Sequence, residues 1–514
     1  MEQLKKSKSI RLLNFIEEKG NKLPHPVTIF MVFTLLVIGL SHVLYVMGTS
    51  VSFEGINPDS GQIENLTVKA VSLLVPEGIA YMFSNVVSNF TSFVALGPVL
   101  VAMLGVGVAE KSGYISALMT NTVTKAPKKF VTPIVVLMGV LSNVAASVGY
   151  VVLVPLGAII FLGFKRHPLA GLSAAFAGVA GGYSANLFLG TNDPLLSGIT
   201  TEAAHILDAG YIVNPTDNWF FMFVSTFLIV IIGTLVTDKL IEPKLGKYIP
   251  SKGMEHQNVI SSVEKKGLLW ANISILLTFI AIALLVLPEN GVLRGEGGGI
   301  IQSPFMSSII FMMMLIFLVP GIVYGFVTKT IKNDKDIANL MTSSLETMAG
   351  FIVLIFFAAQ FVALFNYTNL GTIIAVNGAT FLKSINLDGA PLLVALIFIT
   401  AFINLFIAAD SAKWAIMAPV FVPMFMEMGI APEVTQVAYR VGDSSTNIIS
   451  PLMPFFPLVV AFAQRYGKEN GVGTVISLML PYSIIILIGW TIFFVVWYVL
   501  GIPVGPGTNL NYSN

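Results

Sequence analysis

The chain has 514 residues, of which 55% are hydrophobic and 11% charged, whereas ordinary soluble domains carry roughly 25% charged residues. Its net charge of +1 offers no cationic surface for counterion release, which argues against a nucleic-acid partner. Cysteine is absent and the five histidines are scattered, so disulfides, thiol chemistry and a histidine metal site are not expected.

In chain order, Lys5, Lys6, Lys8, Arg11, Lys19 and Lys22 make residues 1–24 basic. No short apolar region with a small-residue cleavage site follows, so this segment reads as a cytoplasmic arm. Six runs are long and apolar enough to cross about 30 Å of hydrocarbon as helix. They are His25 to Met47, Trp219 to Thr237, Leu268 to Leu287, Pro304 to Val327, Ala349 to Phe365 and Val475 to Leu500. Positive charge gathers at Asp238 to Lys266 and at Lys329, Lys332 and Lys335, whereas Ser50 to Glu77 and Pro288 to Ser303 are acidic or glycine-rich. By the positive-inside rule the first two are cytoplasmic and the last two external. With the N-terminus inside and the tail Gly501 to Asn514 outside, the number of crossings is odd.

Two apolar stretches read as hairpins that enter and leave on one side. Thr132 to Phe164 is split by "LSNVAASVG" (Leu141 to Gly149) into pieces too short to span, with Lys125, Lys128, Lys129, Lys165 and Arg166 on both flanks. Pro391 to Ala408 and Trp414 to Met426 flank "ADSAK", with Asp388, Glu427 and Glu433 at the outer boundaries. Such polar tips are tolerated only inside protein or beside water. Each hairpin leads to a helix interrupted by polar residues, Gly181 to Pro194 and Tyr439 to Pro454. Pro155 to Pro168 and Pro419 to Pro432 share a 13-residue spacing, and Asn143 and Asn404 lie near the two tips. Hairpin plus broken helix, twice and with opposite polarity, is the inverted-repeat pattern of secondary transporters.

The fold expected is therefore an all-α integral membrane protein with two re-entrant hairpins. Its division would be 1–24 arm, 25–92 first span and outer loop, 93–211 first repeat with hairpin one, 212–345 connecting scaffold and dimerisation helices, 346–465 second repeat with hairpin two, and 466–514 last span and external tail.

The breaks supply carbonyls and hard side-chain oxygens suited to an alkali cation, while helix N-termini favour anionic groups. Asn143, Ser147, Asn186, Thr191, Asn192 and Asp193 form one candidate cluster. Asn404, Asp410, Ser411, Asp443, Ser444, Ser445, Thr446 and Asn447 form the other. Sodium is a candidate near Asn143, Asp193, Asn404 and Asp443. Arg440 can grip a carboxylate bidentately, Asp193 or Asp443 can take a proton or a cation, and Trp414 can stack on an aromatic ring. Blander readings stand beside these. Arg440 and Asp443, three apart on one helical face, can form a structural ion pair, and Asp410 and Lys413 can neutralise each other. Trp414 can be a packing aromatic, Asp193 can cap the next helix, and the small residues of "AGLSAAFAGVAGG" suit close helix packing.

The stretches "NLFLGTNDPLLSGIT", "FINLFIAADSAKWAIMAPVFVPMF" and "AYRVGDSSTNIISPLMPFFPLVV" closely resemble the AbgT family of p-aminobenzoyl-glutamate transporters, and the likeness runs from the first span to the last. The resemblance implies a homodimer in a bacterial inner membrane, with nine transmembrane helices and two hairpins per subunit, an inner core and an outer dimerisation frame. It implies transport of p-aminobenzoyl-glutamate, a folate breakdown product, and in some members export of sulfonamides. By position it places functional residues at Asp193, Asn404, Ser411, Trp414, Pro432, Arg440, Asp443 and Pro451. No cofactor is implied beyond a coupling proton or sodium ion; the partners are a small anionic aromatic solute and membrane lipid. The alternatives are a sodium-coupled dicarboxylate or organic-anion carrier of similar fold, a channel, or a membrane amidohydrolase. The hydrolase lacks a nucleophile elbow or a His or Cys constellation in the sequence.

Overall fold

The computed structural model describes residues 26–56, 63–94, 96–124, 127–145, 149–248, 260–288, 290–295, 299, 303–346, 348–385, 388–407, 409–450, 453 and 455–512. The basic arm, Ser147 and Pro451 lie outside them. Six helices are each long and apolar enough to cross a membrane: Val27–Val46, Trp219–Leu245, Ser262–Val286, Ile309–Thr328, Ala349–Tyr367 and Val472–Val499. They coincide with the six runs read from hydropathy. Ser262–Val286 opens on a capping box, Ser261 and Glu264 each satisfying the other's backbone N–H. Its exposed Leu269, Leu276, Leu277, Ile280 and Leu284 suit a lipid-facing surface.

Two features were not foreseen. Leu96–Lys111 and Tyr114–Thr124 form an apolar path bent by 61°, where Gly113 adopts φ +89, a backbone state that favours glycine. In the outer loop, "SVSFEGI" and "IENLTVK" pair as antiparallel strands with Ser50 opposite Lys69. Their alternation of apolar and polar residues is a strand period, which composition alone hides in a chain otherwise built of helix.

Hairpin one consists of Val131–Leu141 and Gly149–Gly163, and hairpin two of Gly389–Asn404 and Asp410–Met426. At 1.5 Å per residue the 11-residue first leg extends about 16 Å, half a hydrocarbon layer. The helix Trp219–Leu245, about 40 Å long by the same rise, serves as a ruler for their directions. At its far end Asp238 and Glu242 accept hydrogen bonds from Arg166, at the base of hairpin one. At its near end the Phe221 N–H donates to the Val504 carbonyl at 3.1 Å. The same tail then reaches the base of hairpin two, where Ala431 N–H donates to Leu510 O and Tyr512 N–H to Gly429 O. The hairpins therefore enter from opposite ends, as the flanking charges indicated.

The broken helices follow. The first comprises Pro168–Gly181, ten irregular residues, and Asn192–Ala204; the second is Pro432–Asn447 followed by Phe456–Gln464. Pro168 and Pro432 both occupy the opening turn of their helices, where a missing N–H costs nothing. The second break begins later than expected: residues 439–447 are helix, not unwound backbone. Nothing in "YRVGDSSTN" stops a helix, and the Ser445 and Thr446 hydroxyls donate back to Val441 O (2.6 Å) and Gly442 O (3.1 Å).

The row of small residues is close packing. A Cβ on Gly171 would collide with the Gly157 carbonyl, and one on Gly178 with the Val136 carbonyl. Gly171→Leu should lower stability by about 1–3 kcal/mol through overpacking, read as a lower melting temperature of the purified protein. An unchanged melt would show that the interface yields.

Candidate functional site

Helix Pro432–Asn447 is buried at every residue yet carries Glu433, Gln436, Arg440, Asp443 and four hydroxyl or amide side chains near its end. In a non-aqueous interior such groups need partners. Those partners come from hairpin two, the first break, the helix Asn192–Ala204 that follows it, and Tyr211 and Asn218 beyond that helix.

Lys413, in the first turn of hairpin two's second leg, is 0% exposed, and Asp443 is 1%. The Lys413 ammonium donates to both the Asp443 carboxylate and the Asn404 amide oxygen, and reaches Ile407 O at 3.4 Å. The Asn404 Nδ2 faces Asp443 O (2.8 Å), Thr446 Oγ1 (2.9 Å) and Asn447 Oδ1 (2.8 Å). Asn447 Nδ2 donates to Asp443 Oδ2 at 3.3 Å. Hairpin two is thus locked to the end of the second half-helix by one ammonium, one carboxylate and two amides.

The second pair joins the repeats. Arg440 Nη2 donates to Asp193 Oδ1 at 2.6 Å, and Asp193 Oδ2 accepts from the Gly190 N–H at 2.6 Å. Ser184 N–H donates to Ser444 Oγ at 3.1 Å, so the first break rests against the second half-helix. A cavity of about 20 Å³ lies here, lined by Asn143, Ser184, Asn186, Asn192, Asp193 and Arg440 among others, large enough for one water-sized group.

These partners correct two readings. Arg440 pairs with Asp193 and not with Asp443, and Lys413 pairs with Asp443 and not with Asp410. Spacing within one helix shows only which side chains could meet there, while a buried charge takes whichever opposite charge the tertiary fold brings closest. Asp410 instead accepts from the Tyr183 hydroxyl at 3.1 Å, and its carbonyl accepts from the Tyr439 hydroxyl at 2.7 Å. Asp193 does not cap its helix: it stands in the first turn after the N-cap Thr191, accepts from the Gly190 N–H that precedes the helix, and holds Arg440.

The proposed four-residue sodium surroundings divide between two places. Asn404 and Asp443 meet at the ammonium. Asn143 and Asp193 line the small cavity, where Asn143 Nδ2 donates to Gly182 O at 3.3 Å. Asn186 takes a 3.4 Å bond from the Phe188 N–H, and Asn192 opens the helix after the break. Ser411 sits beside the tip, half-buried. Pro432 is remote from these pairs, at the end where Ala431 meets the tail.

Trp414 is 0% exposed. Its ring packs on Tyr439 at 4.4 Å and 30°, and Nε1 donates to Thr200 Oγ1 at 2.9 Å. From there a buried chain runs through Thr200 to Gln436 (2.5 Å), Gln436 to Asn218 (2.7 Å) and Asn218 to Glu433 O (2.9 Å). Lys413, Thr200, Gln436, Tyr183 and Tyr439 were not among the site residues read from the sequence. Lys413 carried a usable signal, being the one lysine or arginine between Lys383 and Arg440. Thr200 and Gln436 carried none that separates them from ordinary helix residues.

Residues 11–512 match the AbgT putative transporter family. The chain is 40% identical over 502 residues to the p-aminobenzoyl-glutamate transport protein of Escherichia coli (strain K12), covering 98% of this chain and 97% of that protein. The fold superposes on the YdaH transporter of Alcanivorax borkumensis with a TM-score of 0.88 at 42% identity, over 94% of this chain and 100% of the other. On MtrF of Neisseria gonorrhoeae, described as illuminating a class of antimetabolite efflux pumps, the TM-score is 0.91 at 50% identity, over 97% and 100%.

Because its indole is packed and hydrogen-bonded inside the protein, Trp414→Ala should cost about 3–5 kcal/mol of stability. A melt without solute would show this as a large drop; an unchanged melting temperature would remove the structural role.

Proposed function

Since the chain belongs to the AbgT family, we propose that it is a secondary carrier for p-aminobenzoyl-glutamate, and for sulfonamide-like antimetabolites, driven by a proton or sodium gradient. One observation carries the reading from geometry. Two oppositely directed hairpins meet two broken helices at a polar centre with one ion pair across the repeats and one within the second, the arrangement on which alternating access around one central site is built in inverted-repeat carriers. Among the described residues we count the six unbroken spans, the bent path Leu96–Lys111 to Tyr114–Thr124 and the two broken helices as the nine crossings that the family resemblance implies. With basic loops inside, the N-terminus is cytoplasmic and the tail external, in a bacterial inner membrane. We further propose the division into arm, two repeats, scaffold and last span given above, and a homodimer through the scaffold.

The chemistry of the solute suits the centre. Its glutamyl carboxylates match Arg440, which holds Asp193 through one terminal nitrogen, while its buried Nε has no partner among the described residues. A planar guanidinium with spare donors can take a second carboxylate. The amidohydrolase alternative gains no support: among the described residues no three His, Cys, Asp or Glu side chains gather as a metal site, and the central carboxylates face a guanidinium, an ammonium and hydroxyls.

The test is uptake of labelled p-aminobenzoyl-glutamate into proteoliposomes under separately imposed pH and sodium gradients, with succinate as competitor. We expect saturable uptake, accelerated by one gradient, weakly inhibited by succinate, and reduced by about tenfold or more in Arg440→Ala. Flux that does not saturate would point to a channel, and full activity in a correctly assembled Arg440→Ala would remove the carboxylate role. Strong succinate competition with sodium drive would favour the dicarboxylate carrier.

A further inference from the structure

The two repeats can be compared atom by atom at their hairpin tips. In the first, Asn143 Nδ2 donates to the carbonyl of Gly182, 39 residues on; in the second, Asn404 Nδ2 donates to the carbonyl of Asp443, also 39 residues on. Both asparagines are buried, at 6% and 0% exposure. Each amide thereby turns its oxygen away from the bonded carbonyl, and here the repeats part. Asn143 Oδ1 has no partner among the described residues. Asn404 Oδ1 accepts from the Lys413 ammonium. Hairpin one has no lysine or arginine between Lys129 and Lys165.

The ammonium of Lys413 stands among a carboxylate oxygen of Asp443, an amide oxygen of Asn404 and, at 3.4 Å, the carbonyl of Ile407. One formal negative charge and two neutral hard oxygens, drawn from a hairpin tip and a half-helix end, is a donor set for a small monovalent cation. A lysine side chain is a point charge on a flexible stem, and here it delivers that charge from within the chain. Its full burial removes it from bulk solvent, so these oxygens stand in for its hydration shell. The Tyr439 ring, whose centroid lies 5.7 Å away, adds its face on another side.

We propose that Lys413 is a tethered cation filling an alkali-ion cage at hairpin two, and that it is the residue that excludes sodium from this cage. The inference deepens the carrier reading, on which it rests only for the meaning of ion coupling. It assigns to Lys413 the selection of the ion at this repeat, and it predicts that shortening the side chain turns the cage into a sodium site.

The experiment needs no solute, so it stands whatever the carried molecule is. Wild type, Lys413→Ser and the double variant Lys413→Ser/Asp443→Asn are purified in sodium buffer. Each is melted in sodium, potassium or choline chloride at one ionic strength, and its binding of labelled sodium is measured. Lys413→Ser should gain one saturable sodium site relative to wild type, together with a rise in melting temperature with sodium that potassium and choline do not reproduce. The double variant should lose that gain, because the carboxylate that balanced the ion is gone. If Lys413→Ser melts and binds as wild type does in all three salts, or keeps its gain without the Asp443 charge, the cage is not a cation site. Folding of the double variant alone, with Lys413→Ser rescued by no salt, would overturn the proposal equally, since it would show that no free ion can replace the ammonium.

Discussion

Charges in an apolar interior persist only when opposite charges meet them, and the pairing of Lys413 with Asp443 and of Arg440 with Asp193 governs how the halves of this protein fit together. Removing one member of such a pair strands the other, at a typical cost of about 3–5 kcal/mol, more than most single packing contacts supply. Lys413 to Asp443 fastens a hairpin tip to the end of its own half-helix. Arg440 to Asp193 fastens that half-helix to the break of the other repeat. The polar centre is thus a registry device: either contact is lost if the second half-helix slides along its axis by one turn.

The duplicated architecture gives this registry its form. Each hairpin tip donates one asparagine N–H to the carbonyl 39 residues on, and each half-helix before its break starts on a proline. Opposite entry of the hairpins brings the two tips to the middle, each bonded to the break that follows it. The long helix Trp219–Leu245 spans both entry points, bound to Arg166 at one end and to the tail at the other. It holds the two bases apart while the tips converge.

Much of this was legible in the sequence because membranes impose simple rules. Length and hydropathy identified the six long spans, short apolar pieces between like charges identified hairpin one, and the basic loops marked which ends belong together. What was not legible follows from the limits of local patterns. Arg440 and Asp443 lie three apart on one helix, yet each looks outward to a partner more than 25 residues away. The polar run 439–447 looked like a break because its composition is wrong for a membrane helix. The Ser445 and Thr446 hydroxyls bond their own backbone, and the run stays helical until Asn447. The strands of the outer loop were masked by the helical character of everything around them.

In the proposed carrier, Arg440 would connect this registry to transport. A central arginine that spent all its donors on protein would lock the repeats and bind nothing; one with no protein partner would be an isolated buried charge. Arg440 takes the intermediate course, with Asp193 on one terminal nitrogen and a buried Nε that has no partner among the described residues. A carboxylate arriving at the remaining donors would add to the existing pair before it displaced it, so the guanidinium need never stand uncompensated as Asp193 is released. Lys413, whose ammonium is held by a carboxylate, an amide and a carbonyl, shows no such reserve. The division of labour follows from the chemistry of the two side chains. On the proposed reading, the forked cation is placed where partners can be exchanged, and the point charge where every donor is already taken.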